Sequence, residues 1–306
     1  MTNAENIAIQ IKELKKYYGT FKGCEDVSFD VNFGEVVGFV GPNGAGKSTV
    51  IKALLGLIIK TSGTATILGE DANIRADIRQ RVGYASSDSI FYKNMRVKNL
   101  LEFTAAVYGK GADTYAKYAK RLDLDLNKRI DQLSLGNRKK VSIVNSLMTE
   151  ADILILDEPT NGLDPLVQKE FYAMISESKK RGAAILLSTH ILADVQSYCD
   201  RAVIIKDGLI VADSTVQSLV SGSKESGKVV KDVLIVFENS MPDFSDVSGM
   251  ENMTMDGLTL KGHFSGNMSD LLGRIGSASM SQFSVSDLNL DSIVHDYYDA
   301  EKIGKQ

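Results

Sequence analysis

Apolar and polar residues alternate through Ile7-Ala8-Ile9-Gln10-Ile11 and again through Val27-Ser28-Phe29-Asp30-Val31. That period predicts two strands, each with one buried face. Val36-Val37-Gly38-Phe39-Val40 is instead continuously apolar, as a strand covered on both faces in a parallel sheet is. Ile153-Leu154-Ile155-Leu156 and Ala183-Ala184-Ile185-Leu186-Leu187 repeat the continuous run, and a helical pattern follows each of the three. From residue 90 to 150 the pattern is helical, with Val97, Leu100, Leu101 and Phe103 on one stretch and Val141, Val144, Leu147 and Met148 on another. Asp207-Gly208 between the apolar runs at 202–206 and 209–211 predicts a hairpin with a tight primed turn. The fold class expected is α/β: a largely parallel sheet with N-terminal antiparallel strands and a helical insert.

Ser221-Gly222-Ser223-Lys224-Glu225-Ser226-Gly227-Lys228 has linker composition. It separates an expected first domain at 1–220 from a small C-terminal α/β module at 229–306, with strands near 233–237, 258–264 and 282–285 and helices near 269–275 and 289–302. A length of 306 residues, 43% of them hydrophobic and 24% charged, is ample for two cores. The net charge of −4 offers no broad cationic face, so no nucleic-acid partner is expected. The two cysteines, Cys24 and Cys199, are too few for a disulfide framework or a cysteine metal site and suit a reducing cytosol. The amino terminus lacks a basic stretch followed by an apolar core, so no secretory signal is expected. No apolar run approaches the roughly 20 residues that span a bilayer, so a membrane role would rest on another chain.

Gly41-Pro42-Asn43-Gly44-Ala45-Gly46-Lys47-Ser48-Thr49 satisfies G-x-x-x-x-G-K-[ST], between the apolar run at 36–40 and the helical run at 50–57. Its glycines let backbone N–H groups turn around a polyphosphate, the helix N-terminus adds its positive dipole end, and Lys47 supplies a mobile cation. Ser48 is suited to place its hydroxyl on Mg²⁺. These features predict a P-loop NTPase core. Asp157-Glu158 ends a second buried strand at the expected C-terminal rim of the sheet. Asp157 is suited to holding Mg²⁺ through water, and Glu158 to polarising the water that attacks the γ-phosphate.

Leu133-Ser134-Leu135-Gly136-Asn137 resembles the LSGGQ signature of the ATP-binding subunits of ABC transporters, and it lies just upstream of LILDEPTNGLD. Asn161-Gly162-Leu163-Asp164 resembles that family's D-loop, and Ser188-Thr189-His190 its switch histidine. The resemblance covers residues 5–215. Tyr17-Tyr18-Gly19 resembles the aromatic loop that stacks on adenine, with Tyr18 favoured by its place before the glycine. Two departures stand out. Ser87 occupies the position where the family usually carries a glutamine, a shorter reach to Mg²⁺; in the signature Leu135 replaces a glycine and Asn137 a glutamine, while Ser134 and Gly136 remain.

The resemblance implies ATP and Mg²⁺ as cofactors, ATP hydrolysis coupled to transport, and a dimer with a second nucleotide-binding subunit, identical or paralogous. Ser134 and the backbone around Gly136 of one copy would close over the γ-phosphate held by the other, with His190 and Asp164 also at the nucleotide. Integral membrane permease subunits are the implied partners, which sets the chain in the cytoplasm, on the inner face of the membrane. Tyr92-Lys93-Asn94-Met95, the LSLG form and the ending Asp291-Ser292-Ile293-Val294-His295-Asp296-Tyr297-Tyr298 look most like bacterial multidrug or antibiotic exporter subunits of the bacitracin type. Two other classes compete: a soluble ABC ATPase acting on ribosomes or DNA, and a regulatory subunit that binds ATP with little turnover. The missing second nucleotide domain disfavours the former, and retention of Glu158 and His190 disfavours the latter.

Overall fold

A computed structural model of the chain describes residues 6–71, 76–88, 91–220, 230–244, 247–276, 278–287, 290 and 294. The chain divides into two units, Met1–Asp213 and Ser214–Gln306. In the first, β1 (Ile7–Tyr18) and β2 (Phe21–Asn32) form a long antiparallel pair, followed by β3 (Val36–Val40), α1 (Lys47–Leu54), β4 (Ser62–Ile67), α2 (Ala76–Arg79) and β5 (Val82–Ala85). Helices α3 (Val97–Val107), α4 (Ala112–Arg121) and α5 (Leu135–Leu147) make the helical insert. Then come β6 (Ile153–Asp157), α6 (Pro165–Lys180), β7 (Ala184–Thr189), α7 (Leu192–Tyr198), β8 (Arg201–Lys206) and β9 (Leu209–Thr215).

Two sheets result: a three-stranded antiparallel one in the order β2-β1-β4, and a six-stranded one in the order β5-β6-β7-β3-β8-β9. The β5–β6, β6–β7, β7–β3 and β3–β8 pairs are all parallel. The continuous apolar runs serve two cores at once. Ile153, Ile155, Ala184, Leu186, Val37 and Phe39 pack with α1 and the antiparallel strands. Leu154, Leu156, Ile185, Leu187 and Val36 pack with residues of α3 to α6. Successive side chains of a strand leave opposite faces, so a strand covered on both sides needs an apolar residue at every position. Phe103, which the sequence pattern sets with the apolar stripe of α3, is 65% exposed instead.

The β8–β9 turn has the predicted chemistry, with Asp207 at φ 47° and Gly208 at φ 80°. Its glycine also braces the loop after β3: Gly208 N–H donates to Ala45 O at 3.0 Å, and Gly208 O accepts from Glu25 N–H at 2.7 Å. A Cβ on Gly208 would lie 2.9 Å from Cys24 Cα, so both the turn and the approach require glycine.

The division after Asp213 falls before the boundary expected at 220, so that α8 (Val216–Val220) goes with the second unit; the expected linker 221–228 lies outside the described residues. That unit contains β10 (Lys231–Phe237), β11 (Met250–Asp256), β12 (Thr259–Phe264), α9 (Met268–Ile275) and β13 (Met280–Asp287). The sheet is antiparallel in the order β11-β12-β10-β13, around a core that includes Val233, Ile235, Phe237, Leu260, Phe264 and Leu271. Of the helix expected at 289–302 only Leu290 and Val294 are described, both buried.

Candidate functional site

Four strands deliver the site. The loop after β3 and the ends of β6 and β7 meet at the C-terminal rim of the parallel sheet, where open α/β sheets bind ligands, and the segment after β5 lies at the same rim. Gly46, at φ 106°, turns the loop into α1, and a Cβ there would lie 2.5 Å from Gly23 O. Only glycine fits both the left-handed backbone and the close approach. The turn opens onto a cavity of about 500 Å³ lined by Asn43, Gly44, Gly46, Lys47, Ser48, Thr49, Ser87 and Glu158. α1 has no side-chain cap, so its first N–H groups are left for a ligand.

Lys47 is 6% exposed, with Nζ donating to Gly41 O at 2.6 Å and Pro42 O at 3.2 Å and lying 3.3 Å from Glu158 Oε1. The last contact is an ion pair by distance without hydrogen-bond geometry, because Glu158 Oε1 is buried and accepts no hydrogen bond. The other carboxylate oxygen, Oε2, lies 2.9 Å from His190 Nδ1 and 3.3 Å from Asn161 Nδ2. One oxygen of this buried carboxylate is thus anchored by His190 and Asn161, while the other faces the Lys47 ammonium.

Ser48 Oγ donates to Asp157 Oδ2 at 2.9 Å, and Asp157 is completely buried. A hydroxyl and a carboxylate side by side are hard oxygen donors of the kind Mg²⁺ takes, so Ser48 would hold the ion directly and Asp157 through water. Among the described residues no cluster of three or more His, Cys, Asp or Glu could hold a metal ion. Burial pushes the Tyr84 hydroxyl up to about 12, and the charges of Asp157 and Asp88 add to the shift.

Not every expected residue reaches the cavity. Ser134 is the N-cap of α5, accepting from Asn137 N–H at 3.3 Å, and Asp164 is the N-cap of α6, accepting from Val167 N–H at 3.0 Å. Both are exposed and neither lines the cavity. Gly136 packs against the Asn161–Asp164 loop: a Cβ on it would lie 2.9 Å from Gly162 O, whereas Leu135 is 57% exposed. A side chain at Gly136 would therefore be crowded, whereas Leu135 projects outward and lines the cavity. Tyr18 is not at the cavity wall, where Phe21 stands instead, 68% exposed. The sequence pattern also passed over Lys139, a buried residue at the cavity, and the role of Ser188, whose hydroxyl donates to Asp157 Oδ1.

The ABC transporter family model matches residues 24–161, which contain the phosphate loop, the signature turn and Asp157-Glu158. The chain is 35% identical over 210 residues to the bacitracin transport ATP-binding protein BcrA of Bacillus licheniformis, covering 67% of this chain and 69% of that protein. The chain belongs to the ABC transporter ATP-binding family. Its likeness to a solved ATP-binding subunit of an ABC transporter has a TM-score of 0.65 at 33% identity, over 69% of this chain and 91% of the other. The probable multidrug ABC transporter ATP-binding protein YbhF of Escherichia coli (strain K12) is 38% identical over 222 residues, 70% of this chain, but the match spans only 38% of YbhF. In this ABC family member no described helix is long and apolar enough to cross a membrane.

Proposed function

We propose that the chain binds Mg-ATP in the cavity beside Lys47 and hydrolyses it to drive export of a drug, antibiotic or related cargo through separate permease subunits. The observation that carries this reading is the convergence of two loops: Ser48 meets Asp157 at 2.9 Å and Lys47 meets Glu158 at 3.3 Å. Bound there, Mg²⁺ would neutralise phosphate charge, held by Ser48 and Asp157 with Ser87 alongside. Lys47 swings from Glu158 to the phosphates, a step that frees the carboxylate as general base for water. His190, already hydrogen-bonded to Glu158, holds that carboxylate and faces the γ-phosphate. Stacking of adenine falls to Phe21 or Tyr18, the aromatic residues of the β1–β2 hairpin end. The exposed turns at Ser134-Gly136 and Asp164 suit closure over the nucleotide of a second subunit. Transport of such a cargo is supported by the names of the multidrug and bacitracin relatives; its outward direction, the permease partners and the location at the cytoplasmic membrane face are inferred from the family resemblance.

Titration of the full chain with Mg-ATP, followed by Glu158→Gln, tests the reading. The variant is expected to bind ATP as the wild type does, lose turnover by about 10²-fold or more, and sediment as a dimer only when ATP is present. Turnover at the wild-type rate would discard Glu158 as the base. Absence of measurable Mg-nucleotide affinity in folded protein, alone or with co-purified membrane chains, would overturn the whole reading.

A further inference from the structure

Lys139 has no part in the chemistry above, yet it is the deepest cation of the site. It is 3% exposed, on the first turns of α5, and lines the same cavity. Lysine is rarely buried so fully unless its charge is compensated. Its Nζ donates to the backbone carbonyl of Glu158 at 3.0 Å and to that of Ser86 at 3.5 Å. These carbonyls belong to different segments: the turn after β6, and the segment after β5 that carries Ser87. Burial pulls Lys139 below the ordinary lysine range, and the charges of Asp157, Glu158 and Asp88 oppose that fall.

The Glu158 backbone needs such a clamp. Its φ of 49° lies in the left-handed region, which is strained for a non-glycine residue and persists only when its surroundings fix it. Its N–H donates to Ser188 O at 3.1 Å and to Ser188 Oγ at 3.2 Å. Its carbonyl is taken by Lys139. The residue that carries the expected base is thus fastened from β7 on one side and from α5 on the other.

We propose that Lys139 is a positioning residue, which ties the Glu158 turn to the Ser86-Ser87 segment and so sets the direction of the Glu158 carboxylate. The proposal rests on the ATP-site reading, but the clamp itself exists without nucleotide. In the full chain, Lys139→Met is expected to lower kcat by about tenfold or more while the affinity for Mg-ATP changes less than about threefold, because the lost contacts orient the base and do not hold phosphate. Lys139→Arg, which keeps the donors, is expected to recover most of the lost kcat. Hydrogen exchange of the nucleotide-free chain gives a readout apart from turnover: a peptide spanning 156–163 should exchange about tenfold faster in Lys139→Met, with β3 unchanged. Wild-type kcat, a parallel loss of kcat and affinity, or unaltered exchange at 156–163 would each overturn the proposal. Should the methionine variant not fold, Lys139→Gln decides on the same criteria. If wild-type protein fails to bind Mg-ATP, the ATP-site reading falls, and the exchange measurement still decides the clamp.

Discussion

Lys47 serves two anions in turn. Without nucleotide it is the ion-pair partner of Glu158, and both side chains are about nine-tenths buried. Removing one member of a buried pair leaves the other charge stranded, whereas removing both charges is far less costly. Lys47→Met is therefore expected to lower stability by about 1–3 kcal/mol, with His190 and Asn161 limiting the loss because they still hold Glu158 Oε2. Adding Glu158→Gln should return more than half of that. ATP affinity behaves differently: a lost charge-assisted contact to phosphate is worth about 1.5–3 kcal/mol, or roughly 10- to 160-fold, and the second substitution does not restore it. Urea denaturation and equilibrium binding on the single and double variants separate the two effects. A double variant as unstable as Lys47→Met would show that the pairing with Glu158 carries no weight.

At the scale of elements, the contact between the start of α5 and the Asn161–Asp164 loop sets what the signature turn tolerates. Two effects oppose each other in Gly136→Ala: alanine gains about 1 kcal/mol of helix propensity, and a Cβ 2.9 Å from Gly162 O forces backbone apart at a cost of about 1–3 kcal/mol. A carbonyl cannot swing aside as a side chain can, so crowding should win by about 1 kcal/mol. Leu135→Ala, at an exposed position, should stay within about 0.5 kcal/mol of wild type. A urea midpoint for Gly136→Ala at or above that of wild type would refute the crowding argument. This contact also marks the limit of what was legible beforehand. The phosphate loop and Asp157-Glu158 could be read because each is a short stretch whose residue types state its chemistry, and the parallel strands because two-sided burial makes every position apolar. Lys139 sits in Arg138-Lys139-Lys140, indistinguishable in sequence from a solvated basic run. Its burial depends on carbonyls 19 and 53 residues away. Phe21 in place of Tyr18 at the cavity is likewise a matter of which way a hairpin end faces, and the strand β11 hides in a methionine-rich stretch broken by Glu251 and Asn252.

The whole molecule divides into two units, each with its own core. The residues of the two cores flanking the parallel sheet fall between Ala8 and Ile205, and the site residues fall between Tyr18 and His190. The second unit has a core of its own, drawn from residues 233 to 275. Every site residue named above thus precedes residue 220. A chain ending at 220 is a better test than one ending at 213, because β9 runs to Thr215 and the shorter cut would remove the end of that edge strand. The 1–220 chain is expected to fold and to bind Mg-ATP within about threefold of the full chain. Ligand linkage makes that expectation quantitative: at a free concentration 100 times Kd, binding to the native state stabilises it by about 2.7 kcal/mol, whatever follows residue 220. Urea unfolding of both chains with and without Mg-ATP should give equal increments, even where the baseline stabilities differ. A truncated chain with native circular dichroism but no increment would place part of the nucleotide site in the second unit.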